Sequence, residues 1–295
     1  MTDFVRAAYE VARKEFMQHL RTKRLLIITG FLVLFLGLFM FVFGPEIVRD
    51  ISFTETSRQH IVLSFYFAAG LVGGLQFTQL LALVLTLDAV CSEWSNRTIF
   101  LLLSKPVPRS AFVTGKFLGN LFTIAVTLVP LFLLTYLLMI PAYSGSPSGK
   151  EFLGFLGMLG FILLGAAAFA SFSLFVSTLT KSTLMSALIV MAMWLIGFPL
   201  LGNIGTFTSF DDPGVELDDW PADWSRYLNP SSMMQAGAKL LVTSEADQDL
   251  LDFIDYGAIF SFSAQRLWLA GVGLGAFTVV FFLGSLLVVQ FRNFE

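Results

Sequence analysis

The residues whose types and order could do chemistry gather in one stretch. It reads Asp88-Ala-Val-Cys91-Ser-Glu93-Trp94-Ser-Asn-Arg97-Thr98 and goes on through Leu101-Leu102-Leu103-Ser104-Lys105-Pro106-Val-Pro108-Arg109-Ser110. Glu93 and Arg97 stand four apart with the acid first, the favourable order for a surface pair on a helix, worth about 0.2–0.5 kcal/mol. Trp94, Ile99 and Leu101–Leu103 add more apolar surface than a solvated linker carries. Pro106 and Pro108 then forbid helix continuation, and Ser110 can cap a helix that runs on through Lys116. The chemistry this suits is mechanical: a rigid, apolar elbow for a partner to grip. Catalytic groups are not apparent. Gly115-Lys116 and Gly149-Lys150 lack the rest of a phosphate-cradling loop. His19 and His60 are the only histidines, and neither sits in a His-Glu-x-x-His arrangement. The single cysteine, Cys91, excludes an intrachain disulfide framework and a multi-Cys metal site. The expectation is no catalytic, cofactor-binding or metal-binding residue in this chain.

The elements that position the elbow are apolar runs. Composition is 56% hydrophobic and 13% charged, against about 25% charged in ordinary soluble domains. The 33 Phe suit lipid-facing surfaces. Crossing about 30 Å of hydrocarbon takes roughly 20 apolar residues. Leu25–Phe43, Ser64–Leu87, Phe117–Ile140, Phe152–Val176, Leu184–Leu201 and Leu267–Gln290 all have that length. Backbone groups in lipid must be satisfied within the segment, so the fold class is an all-α membrane protein with six transmembrane helices. The first apolar run begins too late and runs too long for a cleavable signal peptide.

Charge sets the expected orientation, because Lys and Arg of short loops favour the cytoplasmic side. Arg6, Arg13, Lys14, Arg21, Lys23 and Arg24, then Arg97, Lys105, Arg109 and Lys116, then Lys181 and Arg292 all fall on alternate connections. Both termini are therefore expected in the cytoplasm, in the cell membrane. The opposite side takes Gly44–His60, Pro141–Glu151 and the long Gly202–Arg266, which carries eleven acids from Asp211 to Asp255. That acidic stretch reads as a small folded cap. Ser232–Val242 and Leu250–Phe260 have helical apolar spacing, Asp211–Trp224 is rich in turn residues, and Trp220, Trp224 and Tyr227 suit headgroup anchoring or docking of an extracytoplasmic partner. Thr2–Lys23 is amphipathic, with Phe4, Ala8, Val11, Ala12, Phe16 and Leu20 near one face and a basic rim, as expected of a helix lying in the membrane interface.

Within the runs, ionisable groups are confined to ends, which argues against a proton-coupled carrier. Gln76, Thr78 and Gln79 form a polar patch in the second run, a candidate pathway lining, although interhelical hydrogen bonding accounts for it equally well. Gly154, Gly157, Gly160 and Gly165 give the fourth run a close-packing surface. Met185, Met191 and Met193 are read as flexible packing.

Leu87-Asp-Ala-Val, Glu93, Arg97-Thr98, Leu101-Leu-Leu-Ser-Lys-Pro-Val-Pro-Arg109 and Gly115-Lys-Phe-Leu-Gly119 resemble the permease subunits of type-2 ABC exporters. The likeness is closest to the branch containing the permease for maturation of nitrous-oxide reductase, a multicopper enzyme, and Tyr227-Leu-Asn-Pro230 is similar to a pattern there. The resemblance implies a segment at 91–116 that couples to separate ABC ATPase subunits, which would bind ATP and Mg. It implies Glu93, Trp94, Arg97, Thr98, Leu101, Leu102, Ser104, Lys105, Pro106 and Arg109 as coupling residues, and a pathway shared with a second permease copy or a paralogue. The expected organisation is an interfacial helix at 1–24, spans one to five at 25–201, an extracytoplasmic cap at 202–266, and the last span with a cytoplasmic tail at 267–295. A membrane scaffold for an extracytoplasmic partner and a secondary carrier or channel remain the alternatives. No residue pattern selects a cargo, and the charge of −3 suggests no nucleic acid.

Overall fold

The computed structural model describes residues 2–38, 74–95, 108–142, 149–209, 225–237, 240 and 267–291. Every regular element among them is helical. In chain order these are α1 (Thr2–Arg21), α2 (Lys23–Leu38), α3 (Gly74–Thr86), α4 (Cys91–Ser95), α5 (Arg109–Ala142), α6 (Gly149–Leu179), α7 (Thr183–Ala192), α8 (Phe198–Ser209), α9 (Pro230–Ala236) and α10 (Leu267–Phe291). Five stretches among the described residues are long and apolar enough to cross a membrane: Gln76–Ser95, Arg109–Leu137, Phe152–Leu179, Thr183–Gly202 and Leu267–Phe291. They correspond to expected runs two to six. The first run is represented by the 16 residues of α2, and its remainder lies outside the described residues.

Helix α5, at 34 residues, would be about 50 Å long at 1.5 Å per residue. It therefore overshoots the hydrocarbon, and about its first four turns form a post for α1. The two helices touch backbone to backbone. A methyl group at Gly115 would lie 2.6 Å from the Ala8 carbonyl oxygen, and one at Gly119 would lie 2.7 Å from that of Ala12. Both pairs repeat every four residues, so small residues face small residues along one seam. Phe16 and Phe122 close the seam edge to face at 4.9 Å.

Between α7 and α8 the helix continues through a π-helical turn, Met193–Gly197. Pro199 supplies the physical cause: its ring excludes the carbonyl four residues back and it has no N–H to donate. The widened turn absorbs both defects without ending the helix, which runs to Ser209, eight residues past the expected end of the fifth span.

Phenylalanine builds the core as well as the outer surface. Phe172 meets Phe198 at 5.1 Å and Phe281 at 5.2 Å, both edge to face, and Phe277 stacks obliquely on Phe281 at 4.5 Å. These contacts lock α6, α8 and α10 together. Phe31, Phe122 and Phe291 stay exposed.

Of the expected cap, residues 225–237 pack among the long helices. Asn229 caps α9 by accepting from the Ser231 amide at 2.9 Å, with Pro230 in the first turn. Ser232, Met233, Met234 and Ala236 are buried. Gly165 on α6 and Gly273 on α10 leave the space that Met234 and Met233 fill, since a methyl at either would collide with a methionine sulfur. Helix α9 runs from Pro230, close to the expected Ser232, to Ala236, and residues 238, 239, 241 and 242 lie outside the described residues. Trp220, Trp224, Leu250–Phe260 and Asp211–Trp224 lie outside the described residues.

Gly119→Val should strip α1 from its post at a cost of about 1–3 kcal/mol of overpacking. The expected readout is a lower unfolding midpoint in detergent and faster tryptic cleavage at Arg13 and Arg21, with far-ultraviolet helicity of the spans retained.

Candidate functional site

Helix α3 stops at Thr86 and the chain turns through 87–90 before α4 begins. A break of this kind next to lipid needs outside partners for the freed backbone groups. Hydroxyls from two other helices supply them. Ser177 Oγ on α6 accepts from the amides of Val90 at 3.0 Å and Cys91 at 3.1 Å. Ser173 on α6 donates to the Leu83 carbonyl at 3.1 Å, and Ser186 on α7 donates to the Leu87 carbonyl at 2.6 Å. The joint is thus held by packing partners, and α4 leaves it in a direction set by α6 and α7.

The far side of α4 is held by charge. Glu93 is 8% exposed and Lys116, on α5, is 2% exposed. The ammonium of Lys116 donates to Glu93 Oε1 at 2.9 Å and to Glu15 Oε1, on α1, at 2.6 Å. Two carboxylates around one buried ammonium leave a formal charge of −1, and the Lys14 ammonium lies 3.7 Å from Glu93. His19, one turn beyond Glu15, places Nε2 2.6 Å from Asn120 Oδ1. In the tautomer protonated at Nε2 it donates to that oxygen. Arg24, at the head of α2, pairs with Asp88 at 2.5 Å. Together these groups border a cavity of about 1140 Å³ lined by Glu15, His19, Arg24, Asp88, Glu93 and Lys116, among others.

Other coupling residues fall around this centre. Trp94 is partly buried and carries Lys181 over its ring at 5.5 Å. That contact links α4 to the turn between α6 and α7. Arg109 is exposed and donates to the Gln290 carbonyl at 3.4 Å, next to the C-terminal turn of α10, where carbonyls lack helical partners. Arg97, Thr98, Leu101, Leu102, Ser104, Lys105 and Pro106 lie outside the described residues. Glu93 corrects one expectation. It does not sit on a surface, because Lys116 draws it inward to satisfy a buried cation.

The candidate pathway residues separate. Gln76 is exposed, while Thr78 and Gln79 are fully buried. The side-chain oxygen of Gln79 accepts from Trp194 Nε1 and from Ser231 Oγ, each at 2.9 Å. Gln79 therefore ties α3 to α9 and to the π turn, the interhelical role that was the alternative to lining a pathway.

Glu15, Lys116, Asn120 and Ser177 were not marked by sequence reasoning. A signal existed. Glu15 and His19 interrupt the apolar face of α1 at a four-residue interval, and Lys116 and Asn120 follow Gly115 and Gly119 at the same interval. Matching small-then-polar repeats on two helices are what a seam with buried charge requires.

Lys116→Met should cost about 3–5 kcal/mol, because it removes the buried counter-ion of both carboxylates and leaves the exposed Lys14 near Glu93. Adding Glu15→Gln and Glu93→Gln to it should return most of the loss, as read from unfolding midpoints in detergent. Ser177→Ala should cost about 1–3 kcal/mol through two orphaned amides, with faster amide hydrogen exchange at Val90 and Cys91.

No curated protein matches this chain in sequence. The family model described as ABC-2 family transporter protein matches residues 9–292. Its match takes in α2 to α10 whole, and α1 but for its first seven residues. Members are membrane components of ABC transporters, generally not catalytic themselves, and the family implies an ABC ATPase partner. With a match of that extent and several membrane-length apolar helices, the chain belongs to the ABC-2 transporter family, as a multi-pass permease component of an ABC transporter.

Proposed function

We propose that this permease is the six-span half of an ATP-driven exporter in the cell membrane, with α1 and the end of α10 on the cytoplasmic side. Residues 91–116 are its coupling segment, and its pathway lies between two permeases, identical or paralogous. ATP and Mg are bound by the partner ATPases. The observation that supports this most is the tethering of α4. A short helix turned out of the second span is pinned on one side by Ser177 and on the other by the Glu93–Lys116–Glu15 triad. A lever passes on displacement only when its fulcrum is stiff, and the buried charges and satisfied backbone supply that stiffness.

In this reading Trp94, Arg97, Thr98, Leu101, Leu102, Ser104, Lys105, Pro106 and Arg109 form or shape the surface that the ATPase grips. Glu93 anchors the segment from within. A push on the segment reaches α1 and α5 through Lys116, and α6 and α7 through the serines. Helix α1 lies along the inner leaflet. Of the polar trio in α3, Gln76 is the exposed residue and the one able to face a second permease. The order Leu101–Arg109 and Tyr227-Leu-Asn-Pro230 support the branch that serves nitrous-oxide reductase maturation. The acid-rich stretch within 202–266 offers a docking place for an extracytoplasmic partner.

Trp94→Ala combined with Arg109→Ala should weaken assembly with the ATPase by at least about tenfold, the loss expected from truncating an aromatic anchor, and permease-stimulated hydrolysis should fall with it. Unchanged pull-down and unchanged hydrolysis would remove the coupling assignment. Cargo movement that persists after ATP depletion under a clamped ion gradient would mark a carrier instead, and a reconstituted complex that moves no cargo would mark a scaffold.

A further inference from the structure

Helix α1 has three sectors, and among the described residues one of them packs on the bundle. Ala8, Ala12, Glu15 and His19 face α5. Next to them Val5, Tyr9 and Leu20 form an apolar stripe at helical spacing, exposed to 60%, 63% and 46%. Leu118 and Phe122 of α5 are exposed as well, at 47% and 56%, and Phe122 meets Phe16 across the seam, so the apolar surface runs on from one helix to the other. The third sector carries Arg6, Arg13 and Arg21, all exposed, with Met17 and Glu10 between them. Cations beside an exposed apolar stripe match the boundary between anionic headgroups and acyl chains, where each basic residue raises membrane affinity by about fivefold.

We propose that anionic phospholipid headgroups bind the Arg6–Arg13–Arg21 sector of α1 and thereby set how firmly the coupling segment is held. The inference rests on the exporter reading for its functional half only. Its physical route is short. Glu15 lies on α1 and Glu93 on α4, and both are bound to the same ammonium of Lys116. The backbone contacts at Gly115 and Gly119 leave α1 no slack relative to α5. Headgroups that draw α1 toward the leaflet therefore load the triad, and α4 with it.

The first test uses the full-length permease in vesicles. Cys91 is buried, so a thiol-reactive fluorophore goes to position 9 in Tyr9→Cys. Nitroxide-labelled phosphatidylglycerol and nitroxide-labelled phosphatidylcholine are compared as quenchers at equal mole fraction. The anionic lipid should quench at least about twofold more strongly, and R6Q/R13Q/R21Q should erase the difference. Equal quenching by both lipids overturns the proposal. Absence of quenching by either also overturns it, because the sector then does not meet the bilayer and is covered by a second copy.

The second test uses the permease with its ATPase. Hydrolysis should change several-fold when phosphatidylcholine vesicles are supplemented with phosphatidylglycerol. R6Q/R13Q/R21Q should lose that response, and Lys116→Met should lose it while retaining lipid-selective quenching at position 9. Lys116→Arg, which keeps the cation, should recover it. Hydrolysis that ignores lipid charge in an assembled, active complex overturns the regulatory claim and leaves the exporter reading standing. Failure of the ATPase to assemble overturns the exporter reading and with it the regulatory half, and the quenching comparison still decides lipid binding.

Discussion

A lysine ammonium almost wholly removed from solvent must be neutralised by groups carried to it, and Lys116 obtains both of its carboxylates from other helices. The desolvation of three charges is a large unfavourable quantity, and only close, well-aligned pairing offsets it. That requirement gives the cluster its architectural effect. Glu15 holds its place only while α1 is docked, and Glu93 only while α4 folds back toward α5. Three separate helices are thus bound to one atom. Their relative positions are specified more sharply than apolar packing alone would do, since apolar contacts tolerate sliding and a buried ion pair does not.

The same logic, with neutral groups, governs the break after α3. Helix ends leave amides and carbonyls without partners, and the second span ends where water is scarce. Ser173, Ser177 and Ser186 supply the missing donors and acceptor from α6 and α7. A joint stabilised by its neighbours can turn only as far as those neighbours allow. Bending there is consequently coupled to movement of the spans themselves, as transmission from a partner to a pathway requires.

At the opposite side of the bundle, α9 performs a comparable closure. Its methionines fill the space left by glycines on α6 and α10, while Gln79 accepts from Ser231 and Trp194. The π turn forced by Pro199 precedes α8 in the same helix as Trp194. One amide therefore connects the second span, the widened turn and the inserted segment.

Periodicity and composition were sufficient to place the long helices, because lipid imposes a minimum apolar length and internal hydrogen bonding whatever the tertiary contacts. The amphipathic character of α1 was equally legible, being a local matter of spacing, whereas the break after Thr86 and the start of α9 at Pro230 rather than Ser232 were not marked. Nor were the partners of polar side chains. Glu93 four residues before Arg97 reads as a surface pair, and the Gln76–Gln79 patch reads equally as a lining or as a link. Which group a buried charge or amide meets depends on how helices pack, as with Glu15 and Lys116 or Gln79 and Trp194, each pair separated by about a hundred residues of chain, and sequence order carries no record of that proximity. Only the packed structure brought Glu15, Glu93 and Lys116 together, because the free energy that selects their arrangement, desolvation balanced by pairing, exists only once water has been excluded.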